Sequence, residues 1–171
     1  MKIQHRESER HVLTITVDNE AGILAKIAGL FTARGYNIDS LTVADISENH
    51  SVSRITIVTN GPPAVIDQIE AQLDRLVPVH RVVDLTQAGP HVERELALVK
   101  VSGTGEKRVE ALRLADIFRA RPVDTTTESF IFEITGPPDK IDSFIALMRD
   151  LGLVEVGRTG IVGMMRGPEA A

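Results

Sequence analysis

Apolar positions along the chain recur at two spacings, and each spacing predicts a different element. His11 to Val17 is β-branched and partly alternating, which predicts a strand. From Ile23 to Phe31 the apolar residues recur at three and four positions, which predicts a helix that Gly35 ends. The first half continues with two strands, Ile38 to Ile46 and Ser53 to Thr59. A helix beginning at Gly61-Pro62-Pro63 and a strand from Val79 to Leu85 complete it.

The same order is predicted again after a linker at Gln87 to Val92. A strand from Glu95 to Val101 is followed by a helix from Glu106 to Ala120, with Val109, Leu112 and Phe118 roughly on one side. Two strands follow, Pro122 to Thr126 and Ser129 to Thr135, then a helix beginning at Gly136-Pro137-Pro138 and a last strand, Leu153 to Arg158. Strand, helix, strand, strand, helix, strand is the ferredoxin-like order. The fold class is therefore α+β, with two ferredoxin-like βαββαβ domains in tandem, at residues 11–86 and 93–166.

The repeat is also visible in the residues themselves. The run TNGPPAVIDQIEAQL, from Thr59, matches ITGPPDKIDSFIALM, from Ile134, at a constant offset. Proline suits a first helical turn because its missing N–H would have no intrahelical partner there. The turns before the first helix of each half differ, since one reads Asn19-Glu20-Ala21-Gly22 and the other Ser102-Gly103-Thr104-Gly105. The halves therefore share a scaffold, and we expect them to differ in ligand.

The second strand of this order lies at a sheet edge. The stretch from Asn37 to Ala44 is β-branched, free of proline and almost uncharged. An exposed edge of this kind favours pairing with another chain, so we predict a homodimer through it. The sheet face away from the helices is expected to be wet, or covered by another domain or subunit.

Asp18 to Ala44 holds the candidate binding site. A helix start leaves backbone N–H groups free to bind a carboxylate, and a glycine lets a ligand approach closely. Amides bind ammonium and carboxylate groups, while aliphatic side chains form a pocket. The predicted effector-binding residues are Asn19, Ala21, Gly22, Ile23, Leu24, Asn37 and Ile38. The alternatives are that Asn19 caps the helix, that Gly35 and Asn37 serve a turn, and that Ile23 and Leu24 are core.

Composition argues against several other classes of protein. The chain of 171 residues has a net charge of −5, no basic run and no cysteine. The first ten residues are polar and expected to be poorly ordered. No signal peptide or membrane-spanning run is visible, so we expect a cytoplasmic location. RNA-recognition domains share the predicted fold but stack bases on strand aromatics, which the first half lacks, and Phe130 and Phe132 are expected to be core.

The residues also give no support to a metal site or a catalytic centre. The histidines are scattered, at His5, His11, His50, His80 and His91. Ser102 to Lys107 is glycine-rich but lacks the spacing of a phosphate-binding loop. No nucleophile elbow or thiamine-diphosphate motif is present. We therefore predict no catalytic residues, no metal and no cofactor in this chain.

Three runs in the first half carry a resemblance to a known family. They are Asn19-Glu20-Ala21-Gly22-Ile23-Leu24, the stretch from Leu30 to Val43 with its Arg-Gly-Tyr-Asn-Ile-Asp-Ser-Leu-Thr-Val core, and Ser53-Arg54-Ile55-Thr56. Together they resemble the N-terminal ACT domain of the acetolactate synthase small, regulatory subunit. His91 to Val101 and Gly157 to Gly163 resemble the beginning and the tail of that family's second domain.

This resemblance implies a non-catalytic regulatory subunit. Such a subunit activates a large catalytic subunit, and thiamine diphosphate, Mg and FAD are expected only in that partner. It also confers feedback inhibition by valine, or by leucine or isoleucine, bound between two ACT domains. The alternative is an ACT-domain amino-acid sensor that regulates a different enzyme or a transcription factor. The chain departs from the family's pattern at its start, which has about eight extra residues, and at residues 45–52 and 107–124, which leaves the contacts with a large subunit open.

Overall fold

The structure, a computed structural model, describes residues 8–171. His5 and most of the polar N-terminal segment lie outside the described residues. The chain divides into two units. The first runs to Val92 and includes Ile161–Ala171, and the second is Glu93–Gly160. The second unit thus ends before residue 166, because the segment after Gly160 packs with the first unit.

The first unit is a four-stranded antiparallel sheet with helices. Its elements are β1 (Glu9–Asp18), α1 (Ile23–Ala33), β2 (Ser40–Asp45), β3 (Val52–Gly61), α2 (Pro63–Leu73) and β4 (Val79–Asp84). The strands lie in the order β2-β3-β1-β4. This confirms the ferredoxin-like arrangement and places β2 at the sheet edge. Residue 18 of β1 is level with residue 52 of β3, and residue 40 of β2 is level with residue 58.

Alternation along the strands gives this sheet two apolar faces. One face packs on α1 and α2, and the core between this face and the two helices consists of Leu13, Ile15, Val17, Ile23, Ile27, Phe31, Ile55, Ile57, Ile66, Ile69 and Leu73. The other face carries a smaller buried cluster of Val12, Val58, Leu85 and Ile161. A 171-residue chain with few aromatics thus builds its first core mainly from aliphatic side chains, together with Phe31.

The tail, residues 161–171, covers part of the second face. Ile161 N–H donates to Ser40 Oγ at 2.9 Å, and Thr42 Oγ1 donates to the Ile161 carbonyl at 3.0 Å. A Cβ built on Gly163 would lie 2.5 Å from Leu85 Cδ1, so only glycine fits there without displacement. The sequence predicts that this face is wet or covered by another domain or subunit. It does not predict that the chain's own tail covers part of the face.

Two sequence predictions are wrong in this part of the chain. The first is the placement of Asn37 and Ile38 on the second strand. Both residues lie instead in the irregular segment between α1 and β2, which begins at Ser40. The predicted linker instead contains the end of a short helix, α3 (Leu85–Ala88), and the beginning of β5 (His91–Ser102). Asp84 explains that helix, since its carboxylate accepts from Thr86 N–H at 2.9 Å and caps it.

The second unit repeats the scaffold. It contains β5, α4 (Gly105–Phe118), β6 (Arg121–Thr125), β7 (Ser129–Gly136), α5 (Pro138–Arg149) and β8 (Leu153–Arg158), with strand order β6-β7-β5-β8. A last strand, β9 (Val162–Met165), follows in the tail and is not predicted from the sequence. Phe130 and Phe132 are buried, as predicted.

The prediction that Val109, Leu112 and Phe118 share one side of α4 is wrong, because only Phe118 of these three packs against the buried cluster of the second unit. Val109 is 67% exposed and Leu112 is 40% exposed, while the buried residues are Ala111 and Ala115. The apolar residues of α4 do not form one stripe, so large side chains on this helix do not all reach the core. Among residues 8–171, no helix is long and apolar enough to cross a membrane.

Candidate functional site

The turn between β1 and α1 presents an open helix start. Gly22 occupies the N-cap position with φ 85°, a conformation that favours glycine. Nothing lies within 4 Å of the place where its Cβ would be. The hydrogen bond from Ile23 N–H to the Glu20 carbonyl is long, at 3.4 Å. N–H groups of the first turn and the positive end of the helix dipole therefore face an accessible space.

Asn19 does not cap this helix, which makes that interpretation wrong. Its side-chain Nδ2 donates to the His50 carbonyl at 2.9 Å, and its backbone N–H donates to the Ser51 carbonyl at 2.8 Å. α1 has no side-chain cap. With Nδ2 occupied in this way, the Oδ1 atom is the group of the Asn19 amide that can accept a hydrogen bond from a ligand.

The β2–β3 hairpin loop supports Asn19, and the sequence indicated it only as a polar turn. His50 has φ 56°, which is uncommon for a residue other than glycine. Its imidazole Nδ1 pairs with the Asp45 carboxylate. The Ser47 backbone N–H, donating to Asp45 at 3.0 Å, holds the pKa of that carboxyl below its usual value, and His50 contributes to the same shift. The hairpin is thus fixed by its own side chains.

Asn37 and Ile38 are held at the other end of α1. The backbone carbonyl of Asn37 accepts a hydrogen bond from Thr59 Oγ1 at 2.6 Å. The side-chain Nδ2 of Asn37 donates to Asp39 Oδ1 at 2.7 Å. Asp39 N–H in turn donates to the Val58 carbonyl at 2.8 Å. Asn37 is exposed, and Ile38 is half-buried against the core. The Asn37 amide is therefore fixed at the surface.

One chain does not bring these two groups together. Asn19, Ala21, Gly22, Ile23 and Leu24 lie before or at the beginning of α1, while Asn37 and Ile38 follow its end. Eleven residues of α-helix span about 16 Å. The sheet register agrees, because Asp18 and Ser40 are level with opposite ends of β3. The assembled site therefore stays a prediction.

The individual side chains in the two groups differ in exposure. Leu24 is 38% exposed, whereas Ile23 is buried at 6% and belongs to the core. Ala21 and Gly22 are exposed. Leu24 and Ile38 are therefore the aliphatic side chains with surface available to a ligand.

The equivalent turn of the second unit has different surroundings. α4 begins after Thr104, and a Cβ on Gly103 would lie 3.3 Å from the Leu151 carbonyl oxygen. Gly152 is even closer to the chain, since a Cβ there would lie 2.0 Å from the Ser102 carbonyl oxygen. Gly103 and Gly152 therefore lie where segments of the unit pack closely, whereas Gly105, at the beginning of α4, resembles Gly22 in having nothing within 4 Å of its Cβ position.

Histidine–aspartate pairs, which no sequence pattern indicated, account for three of the histidines. His11 Nδ1 and Asp84 Oδ2 are 2.6 Å apart and buried, and His80 Nε2 and Asp18 Oδ1 are 2.7 Å apart at the surface. The third pair is that of His50. Within residues 8–171, no group of three or more histidine, cysteine or carboxylate side chains is placed to hold a metal ion.

Comparison with known proteins gives consistent matches over both units. Residues 13–81 match the family described as the AHAS small subunit-like ACT domain, and residues 94–167 match the small subunit of acetolactate synthase. The chain is 46% identical over 158 residues to the probable acetolactate synthase small subunit of Archaeoglobus fulgidus, which covers 92% of this chain and 98% of that protein.

Two further relatives extend these matches. The chain is 45% identical to the acetolactate synthase isozyme 3 small subunit of Escherichia coli, over 92% of this chain and 96% of that protein. Among solved structures, the acetolactate synthase small subunit of Thermotoga maritima superposes with a TM-score of 0.83 at 39% identity, covering 94% of this chain and 99% of that one. The similarity therefore includes the fold, both units and nearly the full length.

Proposed function

The chain belongs to the family of acetolactate synthase small subunits, and on this premise we propose that it regulates a separate large catalytic subunit and catalyses nothing itself. The large subunit is expected to hold the thiamine diphosphate, Mg and FAD. We expect the complex to act in the cytoplasm. The match over nearly the whole chain favours this partner over another enzyme or a transcription factor.

The effector in this proposal is a branched-chain amino acid, with valine as the first candidate. Its carboxylate would bind at the start of α1, where Gly22 leaves the backbone N–H groups accessible. Asn19 Oδ1 would accept from the ammonium group, since Nδ2 is already bonded to His50. Leu24 and Ile38 would contact the aliphatic side chain. One methylene changes binding by only about 1–3 kcal/mol, so leucine and isoleucine are expected to compete.

A second copy of the chain completes the site in this proposal. The observation that carries it is the distance between the two groups of site residues, which lie at opposite ends of α1 in one chain. The edge strand β2 runs between those ends. If two β2 edges pair antiparallel about a two-fold axis, the beginning of one β2 lies beside the end of the other. Asn37 and Ile38 of one copy would then approach the Gly22 turn of the next.

Regulation follows if effector binding changes how two copies are placed. A coupling free energy of about 1–3 kcal/mol between the effector site and the large subunit is typical of allosteric proteins. In this proposal valine bridges two first units and so weakens the activation of the large subunit. The same linkage requires that binding of the large subunit weaken the binding of valine.

Titration calorimetry tests the effector assignment. Valine, leucine and isoleucine should release or absorb heat on binding, while serine and lysine should not. The active ligands are then tested for inhibition of the complex with the large subunit. An absence of binding by all three aliphatic amino acids would overturn the proposed effector.

Gly22→Asp tests the location of the site. The added carboxylate lies where the effector's own carboxylate would bind, so valine inhibition should be lost while the large subunit is still activated. Gly29→Asp is the matched control, because Gly29 lies exposed on the same helix with nothing within 4 Å of its Cβ position. Unchanged inhibition in Gly22→Asp would place the site elsewhere.

A further inference from the structure

Arg54, Thr16 and Arg81 lie side by side on three neighbouring strands. Thr16 is paired with Arg54 across β1 and β3, and with Arg81 across β1 and β4. Successive side chains on a strand point to opposite faces, and Ile15 and Ile55 point toward the helices. The row formed by Arg54, Thr16 and Arg81 is therefore on the face that the tail partly covers.

Arg54 is the partly buried member of this row. Its Nη2 donates to the Gly163 carbonyl of the tail at 3.2 Å. Its Nε is buried and has no hydrogen-bond partner within residues 8–171. Burial, and then the positive charge of Arg81, lower the pKa of Arg54. Most buried donors in proteins are satisfied, so an unpartnered guanidinium N–H beside a second cation requires an explanation.

A cavity of about 240 Å³ lies next to the row. It is bounded by Arg81 and Val83 of β4 and by Met165, Arg166 and Glu169 of the tail. In the described part of the chain, neither Arg81 nor Arg166 forms an ion pair with a carboxylate within 4 Å. Arg54 is adjacent to the cavity but does not line it, and the lining also includes Ala171 with its terminal carboxylate. Counted with Arg54, three guanidinium groups stand against the carboxylates of Glu169 and Ala171, and the excess of positive charge lies in the row, where Arg54 and Arg81 repel each other.

We propose that this row and its cavity bind an oxyanion, namely the phosphate or carboxylate group of a small molecule. Guanidinium groups match both kinds of oxyanion because their N–H donors form a planar fork. An anion between Arg54 and Arg81 would relieve the repulsion between them, and Thr16 Oγ1 can donate to it. This site is on the opposite sheet face from α1, so it is distinct from the proposed effector site at Gly22.

The test uses the full chain, without valine or a large subunit. Inorganic phosphate and acetate are titrated separately at constant ionic strength, with sodium chloride as the balancing salt, because screening alone changes stability. A ligand that binds only the folded state raises the melting temperature in a saturable way. We expect at least one of the two anions to do so, and the one that does identifies the anionic group.

Variants locate the binding. Arg81→Gln should weaken the anion's affinity by about tenfold or more, since it removes charged hydrogen bonds. Arg75→Gln is the control, because Arg75 is exposed beyond α2 and the change in net charge is the same. Arg54→Lys keeps a charge near Gly163 but loses the guanidinium fork, so it should weaken binding without unfolding the tail.

Two results would overturn the proposal. One is that neither phosphate nor acetate stabilises the chain more than chloride does at the same ionic strength. The other is that Arg75→Gln weakens the anion's affinity as much as Arg81→Gln does, which would indicate only a general charge effect. Both results leave the proposed valine site untouched, and a failure to bind valine would not affect this inference.

Discussion

Asn19 Nδ2 donates a 2.9 Å hydrogen bond to the carbonyl oxygen of His50, which joins the turn before α1 to the β2–β3 hairpin. His50, which supplies the acceptor, has a left-handed backbone at φ 56°. The bond orients the amide of Asn19, a proposed effector-binding residue, and so gives the hairpin a positioning role in the proposed site.

The first prediction concerns Asn19. Asn19→Ala removes both the bond to His50 and the acceptor proposed for the effector's ammonium group, so valine affinity measured by calorimetry should fall at least about tenfold. Glu48→Ala, an exposed change in the same hairpin, is the control and should leave the affinity unchanged. Equal affinities in Asn19→Ala and the unaltered chain would remove Asn19 from the site.

The second prediction concerns the edge strand. Val43 is on β2 and 47% exposed, so Val43→Arg would place a charge in the proposed pairing edge. Sedimentation should show a monomer at micromolar concentration, together with a loss of valine binding. Val77→Arg is the control, because Val77 is 96% exposed in the loop before β4. A Val43→Arg protein that stays dimeric would show that the copies pair elsewhere.

The third prediction concerns the tail. Gly163→Ala would place a methyl group 2.5 Å from Leu85 Cδ1 and 3.3 Å from Val12 Cγ1. Overpacking of this kind typically destabilises by about 1–3 kcal/mol, which urea unfolding can measure. Gly157→Ala on β8 is the control, since nothing lies within 4 Å of its Cβ position. If both variants unfold at the same urea concentration, the tail does not pack on Leu85 as described.

The fourth prediction concerns pH. Burial, and then the Asp84 carboxylate, raise the pKa of Glu70, so the folded state holds this proton more tightly than the unfolded state does. The resulting stability is present at acid pH and is lost as pH rises from about 4 through the raised pKa. Glu70→Gln should therefore unfold at a higher urea concentration than the unaltered chain at pH 7, and the difference should shrink near pH 4.

Glu48→Gln, in the exposed hairpin, is the control for this pH series. It should follow the unaltered chain at every pH. The expected gain in Glu70→Gln is modest, because Glu70 is only partly buried and solvent screens its interactions. A Glu70→Gln protein less stable than the unaltered chain at pH 7 would contradict the direction of the shift.

Local patterns along the chain were sufficient to predict the order of elements. Helical spacing from Ile23 to Phe31, alternation in β1 and the two Gly-Pro-Pro turns are local signals, because each depends on neighbouring residues. From these signals follow the ferredoxin-like repeat and the position of β2 at an edge. The runs around Gly22 and from Leu30 to Val43 also indicated the family through their residues alone.

Contacts between distant residues, in contrast, depend on how the elements pack in three dimensions. The packing of the tail against Ser40, Thr42 and Leu85 joins positions more than seventy residues apart, which no local spacing reveals. Local spacing also does not reveal the bond between Asn19 and His50 or the row of Arg54 and Arg81, although these residues are closer in the sequence. Backbone groups and charges become paired according to strand register, and register is fixed by the packing of the whole sheet.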